Sequence, residues 1–296
     1  MKRAALGFLV LWTVGCAEPR VEDLRFRRVD GPAGRLHVAE AGLGPEGTGE
    51  RGARGVAAGP LPVVFVHSLA GSQSQWTPQL RALAGRRRAV ALDLRGHGES
   101  ELPSDGDYTV PGLARDVGAV VDALGLGRFL LVGHSLGGAV AAEYAGRHPE
   151  RVAGLLLVDP VGDQRVAQEE LIQFLFELDR SYRPTIQEYW RSILAGGTET
   201  TRRQVMGDLG RTAPEAVIHT LEGLLYFDPV AALAGYQGPT LSLITPLNDS
   251  PASLHRLIPG LRTVTVEGTS HWLQMDDPGG FQRILEGFLE EVEESA

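Results

Sequence analysis

Residues 133 to 137 read Gly-His-Ser-Leu-Gly, which sets one serine between two glycines. A serine hydroxyl is a weak nucleophile at neutral pH, so chemistry at Ser135 needs a base within hydrogen-bond reach and an acid to orient that base. The chain offers eight histidines. His134 and His97 lie in glycine-flanked turns, His67 ends an apolar run and His148 precedes a proline; these four read as organisers of turns. His271 differs, because it follows the last apolar run, in "RTVTVEGTSHW", and has a C-terminal helix behind it. Asp249, in "LITPLNDSP", occupies the loop after the preceding run, where a carboxylate could meet the second imidazole nitrogen. Asp159, which ends "VAGLLLVDP", is the alternative acid, with a structural role before Pro160 as its competing reading. The order Ser135, Asp249, His271 is that of one known triad arrangement, whose chemistry is acyl transfer through a covalent intermediate.

These side chains lie far apart in the sequence, so a scaffold must bring them together. "PVVFVHS", "RRAVALDL", "RFLLVGHS", "VAGLLLVDP" and "TLSLITP" are short, nearly continuous apolar runs, the pattern of strands buried on both faces of a parallel sheet. Between them, Leu113, Val117, Val120, Val121 and Leu124 recur at helical spacing, as do Leu136, Val140 and Tyr144. This alternation predicts an α/β fold with a mostly parallel sheet and helices on both faces. Upstream, "LRFRRVD" and "GRLHVAEAG" read as a hairpin around Gly31-Pro32, and the glycine-rich stretch from Gly42 to Pro60 reads as a flexible loop. Residues 161–228 break the alternation with helix-like segments such as "EELIQFLFELDR". They read as a helical cap inserted after the sixth strand, leaving 24–160 and 229–296 as the core.

Ser135 falls between the run "FLLV" and a segment rich in small residues, the strand-turn-helix context of a nucleophile elbow. Side chains at Gly133 or Gly137 would collide with the neighbouring strand and helix. Gly138, Ala139, Ala141 and Ala142 let the following helix pack closely, with its N-terminal N–H groups directed at charge developing beside the serine.

Composition narrows the partners. With 28 Lys plus Arg against 37 Asp plus Glu, the net charge of −9 gives no electrostatic reason to expect nucleic acid. Arg86-Arg87-Arg88 reads as a solvated connection. No metal or cofactor is expected: there is no His-x-x-x-His pair, the glycine-rich phosphate patterns are absent where they would count, and the single cysteine is Cys16. Lys2 and Arg3 precede an apolar run from Ala4 to Val14, which is shorter than the roughly 20 residues of a membrane span but suits a signal peptide. "TVGC" resembles the end of a bacterial lipoprotein signal, although Thr13 stands where such signals usually carry an aliphatic residue. That resemblance implies a cleaved segment 1–15, lipidation at Cys16, a tether over 16–23, and an exported protein anchored at the cell envelope through its lipid.

From roughly Leu24 to the C-terminal helix, the glycine-rich loop excepted, the chain resembles the α/β-hydrolase superfamily, in its serine esterase and lipase-like branch with a helical lid. "DLRGHGES" at 93–100 is similar to the turn after the fourth strand of such enzymes, and "GTSHWLQMDDP" to their histidine loop. The resemblance implies a Ser135 nucleophile, a His271 base, an Asp249 acid and an oxyanion hole made by the backbone N–H groups of Leu136 and Leu69. It departs at Ser68, where the family usually has glycine after the histidine. Serine resists backbone angles that glycine accepts, so strain of about 1–3 kcal/mol is expected if the loop demands such angles. The implied activity is hydrolysis of small-molecule carboxylic esters. A lactonase, a carbon–carbon bond hydrolase and a perhydrolase look alike at this level, and a non-catalytic binding protein at the cell envelope is the rival of another class. Trp76, Trp190, Trp272 and Met275 are candidates to line an acyl pocket.

Overall fold

Apolar side chains alternate between the two faces of each central strand, and in a computed structural model of the chain both faces are covered. The structure describes residues 24–42 and 59–295. The expected signal segment, Cys16 and the tether lie outside the described residues, as does most of the glycine-rich stretch. Eight strands form one sheet: β1 (Arg25–Asp30), β2 (Arg35–Ala41), β3 (Val63–Val66), β4 (Ala89–Leu92), β5 (Phe129–His134), β6 (Val152–Val158), β7 (Thr240–Ile244) and β8 (Thr263–Thr265). Their spatial order is β1-β2-β4-β3-β5-β6-β7-β8. The β1–β2 pair and the β2–β4 pair are antiparallel, and every other pairing is parallel. This is the mostly parallel α/β sheet that the strand-helix alternation predicts, and the α/β-hydrolase fold that the resemblance implies.

The helices are α1 (Thr77–Leu83), α2 (Val110–Ala123), α3 (Leu136–Arg147), α4 (Gln168–Ile193), α5 (Glu199–Arg211), α6 (Pro214–Leu224), α7 (Pro229–Leu233), α8 (Leu254–Leu257), α9 (Leu273–Asp276) and α10 (Pro278–Glu294). Val64, Val66, Leu131, Leu155 and Leu157 face α2 and α3 on one side of the sheet. Their neighbours Val63, Phe65, Leu130, Val132 and Leu156 face α1 and α10 on the other. Each such side chain contributes about 1.5–3 kcal/mol of hydrophobic stabilisation, which fixes the strand register and with it the rim where the strands end.

Helices α4, α5 and α6 lie between β6 and β7 in the chain and make the cap over that rim. α4 is broken at Ser181 (φ −156°, ψ 66°), upstream of Pro184; a proline has no N–H to give the helix, and its ring crowds the preceding turn. The tribasic run is neutralised within the fold, because Arg86 pairs with Glu286, Arg87 with Glu293 and Arg88 with Glu40. No helix of the described residues is long and apolar enough to cross a membrane.

Candidate active site

Ser135 stands between the end of β5 and the start of α3, at φ 54° and ψ −117°. A serine there is strained by about 1–3 kcal/mol and persists because the surroundings over-determine it. The flanking glycines supply the reason. A Cβ on Gly133 would lie 2.1 Å from the carbonyl oxygen of Gly137, and one on Gly137 would lie 2.4 Å from that of Val66. Strand β3 and helix α3 therefore close on the turn from both sides and press the serine outward. Its side chain lines a cavity of about 310 Å³ under the cap, which it shares with His271. The Ser135 hydroxyl makes no hydrogen bond with another side chain among the described residues.

His271 meets Asp159. Its Nδ1 lies 2.5 Å from Oδ2 of that aspartate, and since a carboxylate only accepts, Nδ1 carries the proton and leaves the Nε2 lone pair available as a base. Asp159 is fully buried. It is held by Thr245, whose backbone N–H donates to Oδ1 at 2.7 Å and whose hydroxyl donates to Oδ2 at 2.9 Å. Its own backbone is in the left-handed region, at φ 42°, so this residue and Ser135 both depart from ordinary strand geometry at adjacent strand ends.

The expected acid, Asp249, is elsewhere. Its carboxylate accepts two bonds from Arg256, both at 2.8 Å, and a third from His255 Nε2 at 3.0 Å. The bond from Arg256, with that from His255, holds its pKa down at about 2. The loop after β7 does carry Asp249, but a local surface ion pair takes up the carboxylate, and Asp159 faces the imidazole instead. The apolar run of β6 ending in an acid before Pro160 was the signal in the sequence: a carboxylate at the end of a wholly buried strand needs partners, and the rim supplies a histidine and a threonine.

The histidine loop is clamped by residues that sequence patterns do not reveal. The His271 N–H donates to the carbonyl of Ile193 in the cap at 3.1 Å. The His271 carbonyl accepts from His134 Nε2 at 2.9 Å, and Gln274 donates to His134 Nδ1 at 3.2 Å. With Nε2 donating and Nδ1 accepting, His134 is neutral, and burial pushes its pKa well down. The residue before Ser135 thus joins the elbow to the loop that carries His271.

Leu69 and Leu136 line the same cavity. Leu136 is the first residue of α3, so its N–H has no intrahelical acceptor, and the Leu69 N–H makes no backbone hydrogen bond among the described residues. The strain expected at Ser68 falls on Ala70 instead, which takes φ 52° while Ser68 stays out of the left-handed region. His67 behaves as an internal brace, with Nδ1 donating to the Ser68 carbonyl at 2.7 Å and Nε2 accepting from the Leu94 N–H at 3.0 Å. The rest of the cavity is mostly apolar, with Leu171, Phe174, Trp190, Leu221, Leu224 and Trp272 among its walls. Trp76 is buried against Phe65 instead, and Met275 packs against the core beside the site.

A family model described as "alpha/beta hydrolase fold" matches residues 62–215, more than half of the chain. The protein belongs to the α/β-hydrolase family. It is 28% identical over 250 residues to an sn-1-specific diacylglycerol lipase of Mus musculus, a match covering 77% of this chain and 80% of the lipase. A segment of 105 residues is 43% identical to the dihydrolipoyllysine-residue acetyltransferase component of the acetoin cleaving system of Pseudomonas putida. That segment is 35% of this chain and spans only 28% of the relative. Among solved structures, a thermophilic esterase from Thermogutta terrifontis superposes with a TM-score of 0.71 at 24% identity, covering 90% of this chain and 99% of that one. At this identity the likeness is one of fold.

Proposed function

We propose that the protein is a serine hydrolase acting on carboxylic esters of small molecules, with Ser135 as nucleophile, His271 as base and Asp159 as the acid that orients it. The observation that carries this reading is the His271–Asp159 contact at 2.5 Å on the wall of the cavity that Ser135 enters from its strained turn. Ser135 Oγ attacks the ester carbonyl as its proton passes to His271 Nε2, and the carbonyl oxygen takes the negative charge. That charge is received by the N–H groups of Leu136 and Leu69. Collapse of the tetrahedral species expels the alcohol, which takes the proton from His271 and leaves an acyl group on Ser135. Water activated by His271 then attacks the acyl carbon, and the acid leaves with Ser135 restored. Asp159 holds the ring with Nδ1 protonated and stabilises the imidazolium in both steps.

The apolar cavity of about 310 Å³ lies at the lower end of the 300–1,000 Å³ typical of small-molecule sites, which favours an acyl group of modest length. A binding protein that had given up catalysis would gain nothing from strain at both Ser135 and Asp159. The reading is tested by covalent labelling with a fluorophosphonate and by turnover of short p-nitrophenyl esters. Both are expected in the wild-type protein and absent from Ser135→Ala, and folded wild-type protein that neither labels nor turns over would overturn it. Lipid attachment at Cys16 is part of the same proposal: Cys16→Ser should move the protein from the membrane fraction to the soluble one, and unchanged partitioning would refute the anchor.

A further inference from the structure

Ser68 is the position at which the chain departs from the pattern it resembles, and its hydroxyl has a partner that a glycine could not engage. Its Oγ donates to Oε1 of Gln75 at 3.2 Å. Nε2 of Gln75 in turn donates to Oδ2 of Asp208 at 3.0 Å, and Asp208 belongs to α5 of the cap. The amide orientation follows from chemistry, because the Asp208 carboxylate only accepts and must face the NH₂ end. Ser72 Oγ reaches Oδ1 of the same carboxylate at 3.5 Å, and Arg211 binds that oxygen at 2.5 Å. Ser68, Ser72, Gln75 and Asp208 are all buried.

The glutamine amide also packs directly against the turn that carries Leu69. A Cβ on Gly71 would stand 2.8 Å from Gln75 Oε1 and 2.9 Å from its Nε2, so position 71 has no side chain and the amide fills the space. The turn is closed by the bond from Gly71 N–H to the Ser68 carbonyl at 3.0 Å and includes Ala70 in the left-handed region. A four-residue turn, Ser68 to Gly71, with a strained residue inside it would relax if its support were withdrawn. Ser68 and Gln75 supply that support from the core, and Asp208 supplies it from the cap.

We propose that Ser68, Gln75 and Asp208 form a positioning relay through which the cap holds the Leu69 N–H where the oxyanion develops. The relay rests on the serine-hydrolase reading above. Gln75 and Asp208 do not line the cavity; they act on the turn through the Ser68 hydroxyl and the packing of the amide on Gly71, so the cap helps to hold the oxyanion hole as well as covering the substrate. Removing an oxyanion donor outright costs about 10²–10³ in kcat, and a donor left in place but free to drift should cost less, on the order of 10–100-fold.

The test compares Ser68→Ala, Gln75→Ala, the double variant, Asp208→Ala and Asp208→Asn in the full-length protein, by p-nitrophenyl ester kinetics, affinity for an alkylboronic acid, and Tm. Ser68→Ala removes one oxygen and keeps the fold measurable even if an Asp208 variant does not fold. The relay requires kcat to fall about 10–100-fold with KM within twofold, and the tetrahedral boronate adduct to weaken in parallel. It also requires the double variant to be no worse than the poorer single, and Asp208→Asn, which keeps an acceptor for Gln75, to recover most of what Asp208→Ala loses. A Ser68→Ala protein with unchanged kcat, a change confined to KM, or losses that multiply in the double variant would each overturn it. Wild-type turnover that survives Ser135→Ala would instead sink the underlying reading, so the two failures are distinguishable.

Discussion

The imidazole of His271 meets the carboxylate of Asp159 at 2.5 Å, across the gap between the ends of two strands that are not neighbours in the sheet. β7 lies between them, and its Thr245 braces the aspartate from the side through both backbone and hydroxyl. Replacing Asp159 with asparagine keeps the shape but presents an NH₂ or a neutral oxygen to Nδ1, so the ring loses both its fixed tautomer and its counter-charge. Asp159→Asn should lower kcat on p-nitrophenyl esters by about 10³–10⁴, the scale seen when the acid of such a triad is neutralised. Asp249→Asn should leave kcat within twofold, since that carboxylate serves Arg256 and His255. Full activity in Asp159→Asn, or a matching loss in Asp249→Asn, would return the role to Asp249.

The strain at Ser135 makes a prediction about stability that runs opposite to function. At φ 54° and ψ −117°, glycine escapes the steric cost while alanine retains it. Relief of about 1–3 kcal/mol, less the 0.5–1 kcal/mol that glycine costs in chain entropy, should raise the Tm of Ser135→Gly by roughly 2–6 °C. Ser135→Ala should melt with the wild type, and both variants should be inactive. Equal melting of all three proteins in a calorimetric scan would show that the turn is not strained.

The central strands, the elbow and the histidine loop were legible because each is written locally. An apolar run with polar ends can only be a buried strand in this setting, and Gly133 and Gly137 mark a turn with no room for side chains. The carboxylate that meets His271 was not, because Asp159 and Asp249 both follow strands on the same rim and the choice depends on what else lies near. Arg256 and His255 engage Asp249 from a short helix whose orientation no periodicity gives. The strain expected at Ser68 is displaced for a related reason: the loop does require a left-handed residue, but the turn places it two positions later, at Ala70. Gln75 and Asp208 carry no local mark, because their partners lie in distant segments and a hydrogen bond leaves no pattern in a sequence.

Burial of neutral histidines gives the fold an acid-labile component. His67, His97 and His134 are fully buried, and burial lowers the pKa of each, to about 4 for His97. Below about pH 6.5 the unfolded chain takes up protons at these positions that the folded chain refuses, so their contribution is complete above that pH and declines as pH falls, for His97 down to about 4. His97 adds a slope of about 1.4 kcal/mol per pH unit in this window. His97 is the one to test, because its Nδ1 donates to the Arg95 carbonyl at 2.9 Å while its buried Nε2 has no partner among the described residues. An asparagine can keep the first bond and cannot titrate. Between pH 7 and 5, urea unfolding of His97→Asn should lose about 2 kcal/mol less stability than the wild type; parallel losses would mean that His97 is protonated in the folded protein.

In the function proposed above, the cap selects among esters. Phe174 of α4 and Leu221 of α6 both line the cavity beside Ser135, and no bond ties either side chain to the catalytic groups, so substitution there should change the acyl profile without touching the chemistry. Each methylene of an acyl chain that finds apolar contact is worth about 0.8 kcal/mol, or roughly fourfold in kcat/KM. Phe174→Ala opens the wall and should move the preferred chain upward by several carbons, with butyrate and shorter esters losing contact and the longest accepted esters gaining. Leu221→Phe narrows the same space and should cut the profile short. Measured across p-nitrophenyl esters from acetate to laurate, the two variants should diverge from the wild type in opposite directions while Ser135 labels with a fluorophosphonate as fast as before. Profiles that superpose on the wild type would place the acyl group outside this cavity and leave the space beneath the cap to the alcohol.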